Sequence, residues 1–271
     1  MSDTTETTRD ALADSAIHEQ WVSMYRSPEA QAFYEMAFDE LVRRLNPPPN
    51  ATLLDAGCGS CAKSILLAAR GLNVVATDFS EVALKLAEKT VAAKGLGDRI
   101  QLKHGNLYDL PFKDGAFQYI LCWGVLMHVP DLARAMSELA RVLAPGGVLV
   151  VSEGNMYSAQ SFLMRGLKRV LGKGRARVIK VPAGLESHED TAEGTLVTRQ
   201  TDMAWFTAEW ARLGLGLRTR FSGQLTELYT LVPWSGGRRF IHALNRFWFR
   251  HVGLAGPAFA NILMLEKRAR V

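Results

Sequence analysis

The sequence predicts an α/β fold with a doubly wound, mostly parallel sheet, on three observations. Short apolar runs alternate with helical segments from about residue 52 to residue 152. A Gly-rich turn, Asp55-Ala-Gly-Cys-Gly59, joins the first of these runs to a helix. The chain is 271 residues long with 48% apolar and 22% charged residues, enough for one substantial core with an appended cap. Alternation of this kind requires right-handed crossovers between parallel strands, with helices on both faces of the sheet. Ligands then bind at the carboxyl ends of the strands.

Each element has its own signal. Ser27 and Pro28 read as an N-cap and first-turn pair, and Phe33, Ala37, Phe38, Leu41 and Leu45 fall on one helical face. The Pro-rich stretch 46–50 stops that helix. A strand over 52–56, a helix over 60–70 closed by Gly71 and a strand over 73–77 follow. Ser80 then caps a helix over 81–94 closed by Gly95. Strands at 100–104 and 117–122, a helix over 132–143 and a strand at 148–152 complete the regular part. After Glu153 the rhythm changes: a basic run (Arg165, Lys168, Arg169, Lys173, Arg175, Arg177, Lys180) precedes an acidic one (Glu186, Glu189, Asp190, Glu193). Asp202 caps a helix through about Leu213, a strand lies near 215–221, and a basic aromatic segment around 238–250 leads to a final strand at 258–266.

Several classes are disfavoured. No apolar run reaches membrane-spanning length, and residues 1–14, Thr- and Asp-rich without an apolar signal core, read as a disordered tail. Cys58, Cys61 and Cys122 make no disulfide framework, so a reducing cytoplasm is the expected compartment. Cys58-x-x-Cys61 has no second Cys/His pair at zinc spacing, and no metal is expected. A net charge of +5 gives no reason to expect nucleic acid.

Gly57, Gly59 and Ala62, with Asp78 further on, also fit a dinucleotide fingerprint. Charge separates the readings. Asp55 at the strand end would repel a pyrophosphate and would suit a cationic amino group. Pattern and charge together resemble motif I of the class I S-adenosylmethionine-dependent methyltransferases, whose loop wraps the methionyl end of the cofactor.

The resemblance covers about residues 50–153. His104-Gly-Asn-Leu-Tyr-Asp-Leu-Pro-Phe112 is similar to the G-D-x-x-D-L-P-F stretch of ubiquinone-type members, Val125-Leu-Met-His-Val-Pro-Asp131 to V-L-x-H-x-x-D, and Arg141-Val-Leu-Ala-Pro-Gly-Gly-Val-Leu149 to R-V-L-x-P-G-G-x-L. It implies a Rossmann-like seven-stranded sheet with an antiparallel last strand and helical cap insertions. It also implies one domain over 15–271: an N-terminal helical cap (15–46), a cofactor core (47–153) and an inserted substrate cap (154–200 and 224–256). The implied cofactor is S-adenosyl-L-methionine, held by Asp55, Gly57, Cys58, Gly59, Asp78, Phe79, Asn106, Leu107 and Cys122. Asp78 would take the ribose hydroxyls. Asn106 stands where the family has an Asp for adenine, and an amide oxygen can accept the same bond. Cys61 and Gln118 also depart from the pattern; at Cys61 a local adjustment of the loop is expected.

For catalysis, His128 and His188 are the candidate bases, imidazole titrating near neutral pH. Trp21, Tyr25, Trp123 and Arg165 are the candidate acceptor-side residues. The expected function is methyl transfer to a small-molecule acceptor, O- or N-nucleophile, anionic or amphipathic in character. A quinone or lipid-linked acceptor at the membrane surface is the alternative, and a non-catalytic cofactor-binding partner subunit is the reading from another class.

Overall fold

The computed structural model describes Thr8 and residues 27–171, 177–192 and 194–269, with the backbone alone over 168–171. The chain opens with α1 (Pro28–Leu45), β1 (Thr52–Ala56), α2 (Ala62–Ala68), β2 (Asn73–Asp78), α3 (Glu81–Ala93) and β3 (Ile100–His104). It continues through β4 (Phe117–Trp123), α4 (Leu132–Val142), β5 (Leu143–Gly154) and α5 (Ala159–Leu171). Then come β6 (Arg177–Val181), β7 (Gly184–Asp190), β8 (Thr195–Thr201), α6 (Met203–Arg212), β9 (Leu215–Ser222), α7 (Ser235–Phe247) and β10 (Ala260–Lys267).

Seven strands form one sheet in the order β3-β2-β1-β4-β5-β10-β9. The first five pair in parallel, and β10 runs antiparallel to both β5 and β9. Strand order reverses between β1 and β4, which opens a crevice at their carboxyl ends. One face of the sheet is covered by α4 and α6 through Met136, Leu139, Phe206 and Trp210; the other by α1, α2 and α3 through Phe38, Leu41, Leu67 and Ala87. This is the doubly wound arrangement that the alternation predicts.

Caps set the helix starts as expected. The Ser27 side chain accepts from Ala30 N at 3.1 Å, Ser80 from Ala83 N at 3.2 Å, and Asp202 from Ala204 N at 3.0 Å. Asn46 ends α1 in the left-handed region at φ 48°. Arg141 locks two of the sequence motifs together: it donates to Leu110 O and Phe112 O and pairs with Asp114 and Glu138.

Three expectations change. The insertion at 154–200 is not solely helical: after α5 it forms a three-stranded antiparallel sheet, β6-β7-β8. Its charge runs hide the strands (Arg-Val-Ile-Lys-Val in β6, Thr-Leu-Val-Thr-Arg in β8), and β6 turns tightly into β7 at Gly184, where an added Cβ would lie 2.0 Å from Gln200 O. Thr8, expected in a disordered tail, is buried and donates to Thr195 O at 3.0 Å; the rest of 1–14 lies outside the described residues. The helix expected over 60–70 begins only at Ala62, because Cys61 stands in the left-handed region at φ 62°.

Candidate active site

The carboxyl ends of β1, β2, β4 and β5 open on a cavity of about 420 Å³. Its floor is the turn after β1. Gly57 N and Cys58 N both donate to Thr77 O, at 2.8 and 2.9 Å, which ties the turn to β2. Gly57 has φ 83°, and a Cβ there would stand 2.6 Å from Val125 Cγ2; only glycine meets both conditions. At Gly59 a Cβ would meet nothing within 4 Å, so this backbone is bare toward the cavity it lines.

Three charged groups line this end. Asp78 takes Gly59 N–H on one carboxylate oxygen at 2.8 Å and Ser80 N–H on the other at 2.9 Å. Asp55 is 1% exposed; burial raises its carboxyl to about 6, against the Ser64 hydroxyl bonded to it at 2.5 Å and the Lys63 ammonium. Burial lowers Lys63 to about 7 while Asp55 pulls it up, and its Nζ lies 3.7 Å from the Tyr34 ring centroid. Beside them Asn106 Oδ1 accepts from Tyr108 N at 3.0 Å, an Asx turn that holds Asn106 and Leu107 at the cavity wall.

A second set of lining residues is acid–base in character. His128 Nδ1 lies 2.9 Å from Val197 O; a carbonyl only accepts, so Nδ1 carries the proton and Nε2 is the basic nitrogen. Burial, aided by the Arg199 charge, holds His128 below its ordinary value. Glu153, at the end of β5, is 2% exposed, and neither carboxyl oxygen has a partner at hydrogen-bond geometry among the described residues. Burial pushes it up to about 8, opposed by the Arg199 guanidinium and the amides of Leu126 and Met127. Burial also raises Glu227 to about 7. Arg199, 2% exposed, donates to Leu126 O and Val129 O and pairs with Glu186 at 2.6 Å, so β7 and β8 are clamped to the loop that carries His128. The lining also includes aromatic and apolar side chains: Phe33, Trp123, Met127 and Phe259.

A family profile described as a methyltransferase domain matches residues 54–151. The core is that of a class I S-adenosylmethionine-dependent methyltransferase. Demethylmenaquinone methyltransferase from Geobacillus kaustophilus (strain HTA426) is 40% identical to the methyltransferase core over 118 residues, 42% of this chain and 50% of the relative. The chain thus spans about half the length of the curated relatives it matches. Among solved structures, magnesium protoporphyrin IX methyltransferase from Synechocystis PCC 6803 with bound SAH superposes with a TM-score of 0.64 at 16% identity, covering 97% of this chain and 99% of that one. The cyclase SpnF superposes at 0.56 and 18%, covering 87% and 81%. These likenesses show the fold, which the methyltransferase core shares with proteins of other chemistry.

The residues present fit the cofactor of this class. A bare glycine backbone and two buried carboxylates line the same cavity. Of the residues expected from the sequence, Asp55, Gly57, Cys58, Gly59, Asp78, Phe79, Asn106, Leu107, Trp123 and His128 line the cavity of the methyltransferase core. Trp123 is held by Phe38 and Tyr34, with ring centroids 5.0 and 6.3 Å away. Trp21 and Tyr25 lie outside the described residues. Three others are not brought to the cavity. Cys122 is sealed in the core below it, since side chains alternate along β4. His188, on β7, turns to Glu186 at 3.1 Å. Arg165 donates to Met156 O at 2.6 Å and ties α5 to the turn before it. Gln118, a departure from the motif, bonds Gly146 O on the exposed surface and leaves the site untouched. No group of metal-ligating side chains occurs among the described residues.

Sequence reasoning missed Lys63, Glu153, Arg199 and Glu227. Glu153 carried a signal: it is a carboxylate at the carboxyl end of an apolar strand, the position that already singled out Asp55 and Asp78.

Proposed function

We propose that the protein is an S-adenosylmethionine-dependent methyltransferase acting on a small, largely apolar acceptor that presents an ionisable oxygen. The observation that carries the reading is a cavity lined by two chemically distinct sets of residues: a glycine turn flanked by Asp55 and Asp78, and the proton-handling pair His128 and Glu153. Asp78 would hold the ribose hydroxyls, Asp55 the amino group, and Asn106 with Leu107 the adenine. The cofactor, when bound, supplies an electrophilic methyl group whose leaving group is neutral. The protein's work is then to align the acceptor, exclude water and remove a proton.

His128 Nε2 is suited to take that proton: burial keeps the ring neutral, and Val197 O fixes the tautomer. Glu153, protonated below about pH 8, can donate a hydrogen bond to a second acceptor oxygen. Trp123, Phe33 and Phe259 offer apolar surface for a ring. The names of the relatives support a quinone-type acceptor within this class. Incubation with the cofactor and a panel of hydroxylated quinols, phenols and amines tests the reading by mass spectrometry. A gain of one methyl group on an oxygen acceptor supports it. Cofactor binding with every acceptor unchanged would favour a non-catalytic binding subunit instead.

A further inference from the structure

The segments outside the methyltransferase core concentrate two properties in the same place. Residues 154–185 and 228–265 hold eleven of the 32 Lys and Arg residues and none of the 27 Asp and Glu. The rest of the chain, with 21 of the one and 27 of the other, is net acidic. The same segments hold eleven of the thirteen large apolar side chains exposed among the described residues; Val82 and Leu217 are the other two.

Their helices are inverted. A surface helix ordinarily buries its apolar stripe. α7 turns His242 and Asn245 inward: His242 stacks on Tyr229 with centroids 4.3 Å apart, and Asn245 bonds Thr226 N at 3.0 Å and Thr226 O at 2.9 Å. Outward, one helical stripe presents Phe240, 69% exposed, and Phe247, 57% exposed. α5 behaves likewise. Ser161 is buried and Gln160 Oε1 accepts from Thr226 Oγ1 and Glu227 N at 2.6 and 2.7 Å, while Phe162 is 76% exposed with Leu163 and Leu167 beside it. Both helices are thus anchored on residues 226–229, next to Glu227 of the cavity wall. None of the basic residues described in these segments forms an ion pair with a described residue.

We propose that α5, α7 and the chain around them form a docking face for an anionic lipid bilayer. The phenylalanine and leucine side chains enter the acyl boundary, and the arginines meet the headgroup phosphates. Charge complementarity selects this partner. A second copy would bring like charge to like charge, and a nucleic acid would engage the arginines but leave Leu163, Leu167 and Leu231 in water. The face stands independently of methyl transfer. No helix among the described residues is long and apolar enough to cross a membrane, so the contact is peripheral.

Flotation with vesicles tests it on the full chain. Wild type should float with phosphatidylcholine vesicles containing phosphatidylserine and stay behind with phosphatidylcholine alone. Arg238→Gln with Arg239→Gln should weaken binding about thirtyfold, at the roughly fivefold that each basic residue contributes near an anionic surface. Phe240→Ser with Phe247→Ser, both at exposed positions, should keep the melting temperature and lose at least tenfold in vesicle affinity. Three results would overturn the proposal: no flotation with anionic vesicles, both double variants floating like wild type, or capture of duplex DNA without capture of vesicles. Self-association that protects Phe240 and Phe247 from solvent in the absence of lipid would also refute it.

Discussion

Replacing Glu153 by glutamine should make the protein progressively more stable than wild type as the pH is raised. Glu153 is 2% exposed, and burial lifts its carboxyl from 4.5 to about 8. Between those values the unfolded chain has released this proton while the folded chain keeps it. The unfolded state therefore binds fewer protons, and stability falls as pH rises, by about 1.4 kcal/mol per pH unit. The loss is absent below pH 4.5 and complete above about pH 8, where it reaches on the order of 5 kcal/mol. Glutamine has no proton to lose. Urea unfolding of both proteins at about pH 5 and about pH 8.5 would read the difference directly, through the linear dependence of stability on denaturant. Asp55 and Glu227, also raised by burial, tilt both curves alike and cancel. Variant and wild-type stabilities that run parallel across this range would show that Glu153 is charged and solvated in the folded protein, and the proton-handling pair of the cavity would lose its acid.

Other substitutions test other parts of the site. Asp78→Ala should weaken S-adenosylhomocysteine binding by roughly 1.5–3 kcal/mol, the range for hydrogen bonds to a charged group, as measured by calorimetry. Asn106→Asp keeps the acceptor for Tyr108 N and offers adenine a charged oxygen, so affinity should hold or rise; a large loss would mean that Asn106 acts as a donor. Arg199→Met leaves Glu186 without its guanidinium partner and frees the carbonyls of Leu126 and Val129, and denaturation should show a loss of about 3–5 kcal/mol.

Much of the core was legible because each element is signalled locally. Ser27, Ser80 and Asp202 announce helix starts, and β3 begins and ends where the apolar pattern does. The Asp55 and Asp78 positions follow from the strand-end rule and from the charge of the ligand they would face. The acid–base residues could not be read in this way. Glu153 becomes an acid through burial beneath residues distant in sequence, and Arg199 is assigned its role by contacts more than 60 residues away, at Leu126 and Val129. His188 looked equivalent to His128 by residue type, but strand β7 points it at Glu186. The inserted sheet was masked by its charges, since β6 and β7 alternate polar and apolar residues only weakly.

Calorimetric titration of the full chain with S-adenosylhomocysteine and, separately, with NAD tests the central claim most directly, because Gly57, Gly59 and Asp78 fit either ligand by spacing alone. Saturable heat is expected from S-adenosylhomocysteine, with its loss in Asp78→Ala, and none from NAD. Heat from NAD with none from the adenosyl ligand would contradict that claim.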